Sequence, residues 1–485
     1  MPNPFLPLNE YIPDGEPHVF GDRVYLYGSH DKARSNRFCV QDYTVWSAPV
    51  DDLSKWTNHG VTYNKMQDPR SKPGREVDFY APDCVQGNDG RFYLYYCAMG
   101  PNTKNFGPMS VAVSDSPAGP FKYLGDIQYA DGTPVLKYLT NDPAVINDNG
   151  RIWLYYGWGL ARDFRSKIFA PLYNIVQSKL FARPIEEIKT TKPSILSCAV
   201  VELSDDMMTV KSEPKSVLDS KTTAPKDSEL YNHAFYEAPS IRKIGDTYYL
   251  VYSSGENNEL CYATSKYPDR GFEYRGVIIS NSDIGYNGNK KKKAPAGTIH
   301  GGIECIKGKW YVFYHRCTNN TDFSRQACAE PIEILADGNI PQVEITTQGV
   351  GEPIKAVGVL EAARCCNLIT KKPVRLGIGR AQKRARIDDD GRNIFVADID
   401  DGTELGYKYL SFTNVKKISV TCRGRGSVIE IFINDERQKC GEIKTQNTET
   451  WQSFSAEVDI PDGTHALYLK IRGKGKRDVK KMRFN

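Results

Sequence analysis

The chain has 485 residues, 40% of them hydrophobic and 25% charged, with a formal net charge of +5. That length exceeds one comfortable core, so two domains are expected, and the composition excludes a disordered or fibrous protein. There is no apolar run near 18 residues to cross a membrane, and the opening MPNPFLPLNE has no basic stretch leading into an apolar one, so a cytoplasmic location is expected. Charge is uneven, with 26 Lys/Arg against 18 Asp/Glu after residue 350. These cations are scattered among strand patterns without helix-turn-helix or zinc-finger spacing, so a solvated surface is expected rather than a nucleic-acid partner. The 12 cysteines include no CxxC pair and read as reduced core thiols. The oligomeric state is left open.

In chain order, a turn followed by an aromatic strand occurs five times. The copies are GDRVYLYGS (21–29), DGRFYLYYC (89–97), NGRIWLYYG (149–157), GDTYYLVYS (245–253) and KGKWYVFYH (307–315). Their strands begin at Val24, Phe92, Ile152, Tyr248 and Trp310, a period near 60 with one longer step. Between copies lie further strand signals, such as SVAVSDSPAGPFKYLG and LCYATSKYPDRGFEYRG. Such repetition predicts an all-β, five-bladed β-propeller of four-stranded blades over residues 1–345, in preference to a sandwich with coincidentally similar hairpins.

The first strand of each propeller blade lines the axis. The positions 9–11 residues before each aromatic strand are Asp14, Asp83, Asp142, Glu237 and His300, so the fold would gather these around one hub. Convergent carboxylates in a polar funnel suit glycosidic bond cleavage, which needs a protonated acid at the leaving oxygen and a carboxylate opposite it. With inversion the two lie roughly 6.5–9.5 Å apart, leaving room for water. A third carboxylate nearby raises the acid's pKa by like-charge repulsion. The competing use is a hard-metal site, which a histidine suits poorly. Each residue also has a bland reading: Asp83 as a turn cap, Asp142 as an N-D-P turn initiator, His300 as a core histidine. Trp46, Trp153 and Trp158 are candidate sugar-stacking platforms, although core packing is the commoner role of tryptophan.

The phrases IPDGEPHVF, YLYGSHD, FYAPDCV, NDPAVINDNGRIWLYYG, FYEAPSIRKIGDTYYLVYSSG and HGGIECIKGKWYVFYHR together resemble glycoside hydrolase family 43, over about residues 1–340. The resemblance implies a five-bladed propeller that hydrolyses with inversion. By it Asp14 is the general base, Asp142 the carboxylate that tunes the acid, and Glu237 the general acid. It also makes Arg325 a substrate-side arginine, Asp83 a supporting or sugar-contacting residue, and His300 an axial residue helping to hold Ca²⁺ through waters. The base phrase departs from the usual Asp-Pro: Gly15 follows Asp14, and Glu16 precedes Pro17, so Glu16 is a rival base.

After GVGEPIKAVG the period stops, and short alternating segments such as KKISVTCRG, SVIEIFIND and HALYLKIRG predict an antiparallel β-sandwich (jelly roll) over 346–485. VLEAARC, GYKYLSF, IEIFINDERQKCGEI and the stretch from TETWQSFSAEVDI resemble carbohydrate-binding module family 6. That resemblance implies a structural Ca²⁺ on Glu361, with Asp478 as a companion ligand, and either a sugar-stacking role for Trp451 or a domain that braces the propeller without binding sugar. No organic cofactor is expected. The sequence as a whole reads as an exo-acting glycosidase that removes terminal α-L-arabinofuranosyl or β-D-xylosyl residues from hemicellulose oligosaccharides. The alternatives are a β-galactofuranosidase or galactan-acting enzyme, a non-catalytic carbohydrate-binding propeller, and a calcium-stabilised scaffold.

Overall fold

A computed structural model describes residues 2–100, 106–161, 170–255, 258–371, 384–435 and 437–485. Five antiparallel sheets follow one another along the chain from Glu16 to Ile332, each built in sequence order. Their first strands are Glu16–Phe20, Asp78–Gln86, Ala144–Asp148, Phe235–Ile244 and Ile303–Ile306. Each of these touches the next, and the last touches the first, which closes a five-bladed ring around an axis.

The five aromatic phrases are the second strands: Arg23–Tyr27, Phe92–Met99, Arg151–Trp158, Thr247–Ser254 and Lys309–Cys317. Successive side chains of a strand face opposite sides of its sheet, so each aromatic strand serves two blade interfaces. Tyr93 and Tyr95 pack with Leu154 and Tyr156, whereas Leu94 and Tyr96 pack with Tyr25 and Tyr27. Trp153 and Tyr155 meet Tyr248 and Tyr252, Tyr249 and Val251 meet Val312 and Tyr314, and Val24 and Leu26 meet Tyr311 and Phe313. Five apolar cores thus lie between blades. Trp46 belongs to the last of them and is 6% exposed. It is a core residue between the first and fifth blades and not a sugar platform. Trp153 is likewise core, between the third and fourth blades.

Two details differ from the expectation of uniform four-stranded blades. The fifth blade has three strands, and its outer edge, Arg325–Ile332, is covered by the N-terminal segment. Phe5 N–H donates to Ala327 O (3.2 Å), and the Asn3 amide exchanges hydrogen bonds with Ala329 N and O (3.0 and 3.1 Å). The long step between the third and fourth copies comes from an excursion in the third blade, between strands Arg151–Trp158 and Ser197–Leu203, which carries helices Ala170–Phe181 and Ile185–Thr190.

Beyond residue 353 two six-stranded sheets enclose one apolar core. Alternation is clear in Val428–Ile433, where Ile429, Ile431 and Ile433 are buried. Pairing is antiparallel apart from the short Ile354–Lys355, which runs parallel to Glu404–Phe412. The fold is therefore all-β, a propeller followed by a sandwich.

Candidate active site

Where each first strand enters the axis, four of the five blades repeat one local device. Asp14, Ala81, Asp142 and Ala238 have φ of +57°, +36°, +49° and +63°, and are followed by Gly15, Pro82, Pro143 and Pro239. A positive φ outside glycine costs on the order of 1–3 kcal/mol, and such strain is held by the surrounding structure. Strand register also shifts between Tyr80 and Asp83 and between Glu237 and Ser240, the mark of a bulge that re-aims side chains.

This device sorts the axial residues into levels. The residues before three of these kinks, Tyr80, Asn141 and Glu237, and His300 before Gly301 of the fifth blade line a cavity of about 340 Å³ at one end of the axis. Asp14 and Asp142, at the kinks themselves, line it too. Two residues further on, Glu16, Asp83 and Ser240 lie deeper along the axis, where the Ser240 hydroxyl donates to Glu16 Oε2 (2.8 Å). Asp83 is therefore out of step with the other four hub positions. It is fully buried and does not line the cavity. It accepts hydrogen bonds from Val145 N and Cys84 N (both 2.7 Å), and His18 Nε2 lies 2.6 Å from it. Contact between Asp83 and sugar is thus corrected to a structural role, because its oxygens are taken by backbone and imidazole.

Asp14 and Glu237 share the cavity but differ in acidity. Burial raises the Asp14 carboxyl most, but the Arg325 guanidinium, with Nη1 2.8 Å from Oδ1, together with His315, His300 and the Ser29 hydroxyl, holds the group below the usual carboxylate range. Arg325 also grips Asp31 in a forked pair (2.8 and 3.1 Å) and lies 4.8 Å from the centre of the Phe38 ring. His315 positions the Asp14 backbone: its Nδ1 accepts from Asp14 N–H (3.2 Å), and its Nε2 bonds Thr298 O (2.8 Å). Those bonds require a neutral ring, consistent with burial pushing its pKa down to about 3.

Burial and the Asp14 charge push Glu237 up to about 7, against the opposing effect of the indole N–H of Trp158, which donates to Oε2 (3.1 Å). Burial and the adjacent Glu237 raise Asp142 as well, while Ala238 N–H donates to its Oδ2 (3.1 Å). Neighbouring buried carboxyls cannot both ionise easily, so this pair retains a proton near neutrality. Glu16, the rival base, lies below the cavity between Ser240 and Arg242, whose Nη2 is 3.5 Å away. Burial and Asp83 push it up to about 8.

Sequence reasoning missed Asp31, His315 and Asp322. Asp31 lies four residues after the first aromatic strand, and His315 is the last residue of the fifth aromatic phrase, where the sequence pattern marks only core. Trp158 lines the cavity and also donates its indole N–H to Glu237.

His300 lines the cavity floor and is neutral, its pKa pushed down by burial to about 4. Its Nε2 and Glu16 Oε1 lie 3.8 Å apart, and neither has a hydrogen-bond partner. Glu361, by contrast, is half exposed and paired with Arg364 Nε (3.3 Å). Among the described residues it belongs to no cluster of three ligating side chains, whereas Ca²⁺ needs six to eight oxygens. Asp478 is engaged by Arg423 (2.9 Å) and by Asp398 N (3.1 Å). Glu361 thus stands in a surface ion pair with Arg364. Trp451 is covered by Arg423, 4.4 Å from the ring centre, and by the edge of Phe395.

Comparison with known proteins agrees with this architecture. Residues 1–340 match the model of glycosyl hydrolases family 43. A protein of Thermoclostridium stercorarium named xylosidase/arabinosidase is 41% identical over 99% of this chain and 97% of its own length. The structure of CoXyl43, a β-xylosidase/α-arabinofuranosidase from a compost microbial metagenome described as a calcium-free form with xylotriose, superposes with a TM-score of 0.51. It is 26% identical and covers 71% of this chain and 97% of its own. A Bacillus subtilis arabinoxylan arabinofuranohydrolase, 21% identical, shares the fold over 100% of this chain and 97% of its own at a TM-score of 0.50.

Proposed function

The chain belongs to family 43 of the glycosyl hydrolases and is a glycosidase; from that premise we propose that it removes terminal α-L-arabinofuranosyl or β-D-xylosyl units from hemicellulose-derived oligosaccharides with inversion of configuration. The observation that carries this reading is one pocket holding a carboxylate kept ionised, Asp14, and a carboxyl pair that keeps a proton, Glu237 with Asp142. Those are the two states that single-displacement hydrolysis requires. Asp14 takes a proton from the attacking water as that water reaches the anomeric carbon. Glu237 gives its proton to the departing oxygen. Burial and the Asp14 charge keep Glu237 protonated, Asp142 accepts from the backbone N–H of Ala238 next to it, and Arg325 keeps Asp14 ionised. A cavity of about 340 Å³ is at the small end for ligand sites, which favours a terminal sugar over an internal stretch of polymer. The relatives' names support the choice of sugars.

The axis also suits a hydrated divalent cation. His300 Nε2 and Glu16 Oε1 are buried and unpaired, and the ligand atoms of Glu16, His18 and Asp83 lie within 4.8 Å of one another. A Ca²⁺ held there through waters by His300 and Glu16 would add positive charge beneath the sugar. The calcium-free description of CoXyl43 makes calcium a variable in such structures.

The test is a panel of p-nitrophenyl α-L-arabinofuranoside, β-D-xyloside and β-D-galactofuranoside, with NMR of the first-formed sugar. Release from either of the first two with the inverted anomer is expected. Hydrolysis of the galactofuranoside alone, or a retained anomer, overturns the reading. The pH dependence of kcat/KM follows from the same two groups. Activity should fall as pH rises through about 7, because Glu237 then loses the proton it must donate. The acid limb should lie below the ordinary carboxylate range, where Asp14 becomes protonated.

A further inference from the structure

One wall of the pocket is held from outside the propeller. Phe38 and Asp322 line the cavity from two loops, residues 31–39 of the first blade and 318–325 of the fifth. The loops are bonded to each other: Arg34 N–H donates to Ser324 Oγ (3.1 Å) and Asn319 Oδ1 (3.3 Å), and Ser324 Oγ donates to Lys32 O (3.1 Å). Both are then fastened to one sandwich strand, Arg386–Asp389. Arg34 Nε and Nη2 donate to Asp388 Oδ1 (2.8 and 2.6 Å). Asn319 donates to Ile387 O through its backbone N–H (2.9 Å) and its side-chain Nδ2 (3.0 Å). Asp388 is 3% exposed, and its other oxygen is engaged by Arg386 (2.6 Å).

The backbone at these anchors is left-handed: Arg34, Asn319 and Asn320 have φ of +57°, +57° and +52°, a conformation asparagine adopts readily but one that tertiary contacts must maintain at Arg34. Asp322, 8% exposed, lines the cavity and takes no part in the hydrolytic steps. Its Oδ1 accepts from Thr298 N–H (3.3 Å), and its loop is anchored upstream at Asn319.

We propose that the C-terminal sandwich is a working part of the sugar pocket, with Asp388 as a positioning residue that locks both wall loops and so sets where Phe38 and Asp322 meet the substrate. This rests on the glycosidase reading of the cavity. Breaking the Arg34–Asp388 contact frees the wall, and small misplacements of positioning groups carry large kinetic costs.

The experiment uses full-length protein with Asp388→Asn, Asn319→Asp and, as a control, Arg364→Ala. Arg364 also ties the sandwich to the propeller, through Pro2 O and Pro4 O (3.3 and 2.9 Å), but touches neither loop. For the best substrate of the aryl-glycoside panel, Asp388→Asn and Asn319→Asp should raise KM about tenfold while kcat stays within about threefold. Hydrogen–deuterium exchange across 31–39 and 318–325 should accelerate about tenfold in both variants. Arg364→Ala should leave KM and that exchange unchanged. An unchanged KM in both loop variants, unchanged exchange, or an equal loss in Arg364→Ala overturns the proposal. If the wild type cleaves no glycoside of the panel, the glycosidase reading fails on its own terms. The exchange measurement still decides the mechanical claim.

Discussion

Glu237→Gln should lower turnover of an unactivated oligosaccharide by roughly 10³-fold, within the range that one general acid supplies. The amide is nearly isosteric, and its oxygen can still accept the Trp158 N–H, so the pocket keeps its shape. What is lost is the proton for the departing oxygen. A leaving group such as 2,4-dinitrophenolate needs no proton, so with that substrate the defect should shrink to a few-fold. Comparing kcat on the two substrates tests the assignment, and equal losses on both would remove Glu237 from the acid role. The variant should also lose the decline in activity above pH 7, because the group responsible no longer titrates.

Asp14→Asn should be at least as damaging, roughly 10⁴-fold, at the upper end for a single proton-transfer group. Here the leaving group should make no difference, because water must be activated whichever group departs. The fold should survive, since Arg325 keeps its forked pair with Asp31. This separates loss of chemistry from loss of structure, with circular dichroism and thermal unfolding as the check. The same series settles the choice between the two acidic residues of the first blade. Glu16→Gln should cost far less than Asp14→Asn and leave the acid limb of the pH profile in place, because Glu16 sits below the cavity, bonded to Ser240. Near-wild-type turnover in Asp14→Asn together with collapse in Glu16→Gln would reverse the assignment.

Much of the fold was legible because the aromatic strands repeat a single physical requirement. Each must fill two blade interfaces, so Tyr, Phe and Trp recur at both parities and the five phrases stand out. The depth of each hub residue was less legible. Counting back from the aromatic strand places Asp14, Asp83, Asp142, Glu237 and His300 at one radius, but the kink and bulge shift side chains by one or two positions. A count cannot see a positive φ at alanine. That is why Asp83 falls one level below the pocket and Glu237 reaches its floor. Trp46 was misplaced for a related reason, since a large ring on a strand fills a blade interface more often than a sugar site. Contacts across the propeller–sandwich boundary, such as Arg34 to Asp388, leave no local pattern, because they join residues 354 positions apart.

The cover on the fifth blade has a consequence for assembly. Asn3 meets Ala329 across 326 positions of chain, so the wheel's last edge cannot be sealed until nearly the whole propeller has been synthesised. Loops that long make for slow folding, because their closing entropy is lost before the contact rewards it. On the ribosome, the opening residues must therefore stay unpaired while four blades form behind them. The fifth blade's bare strand edge waits for them as a latch waits for its bolt.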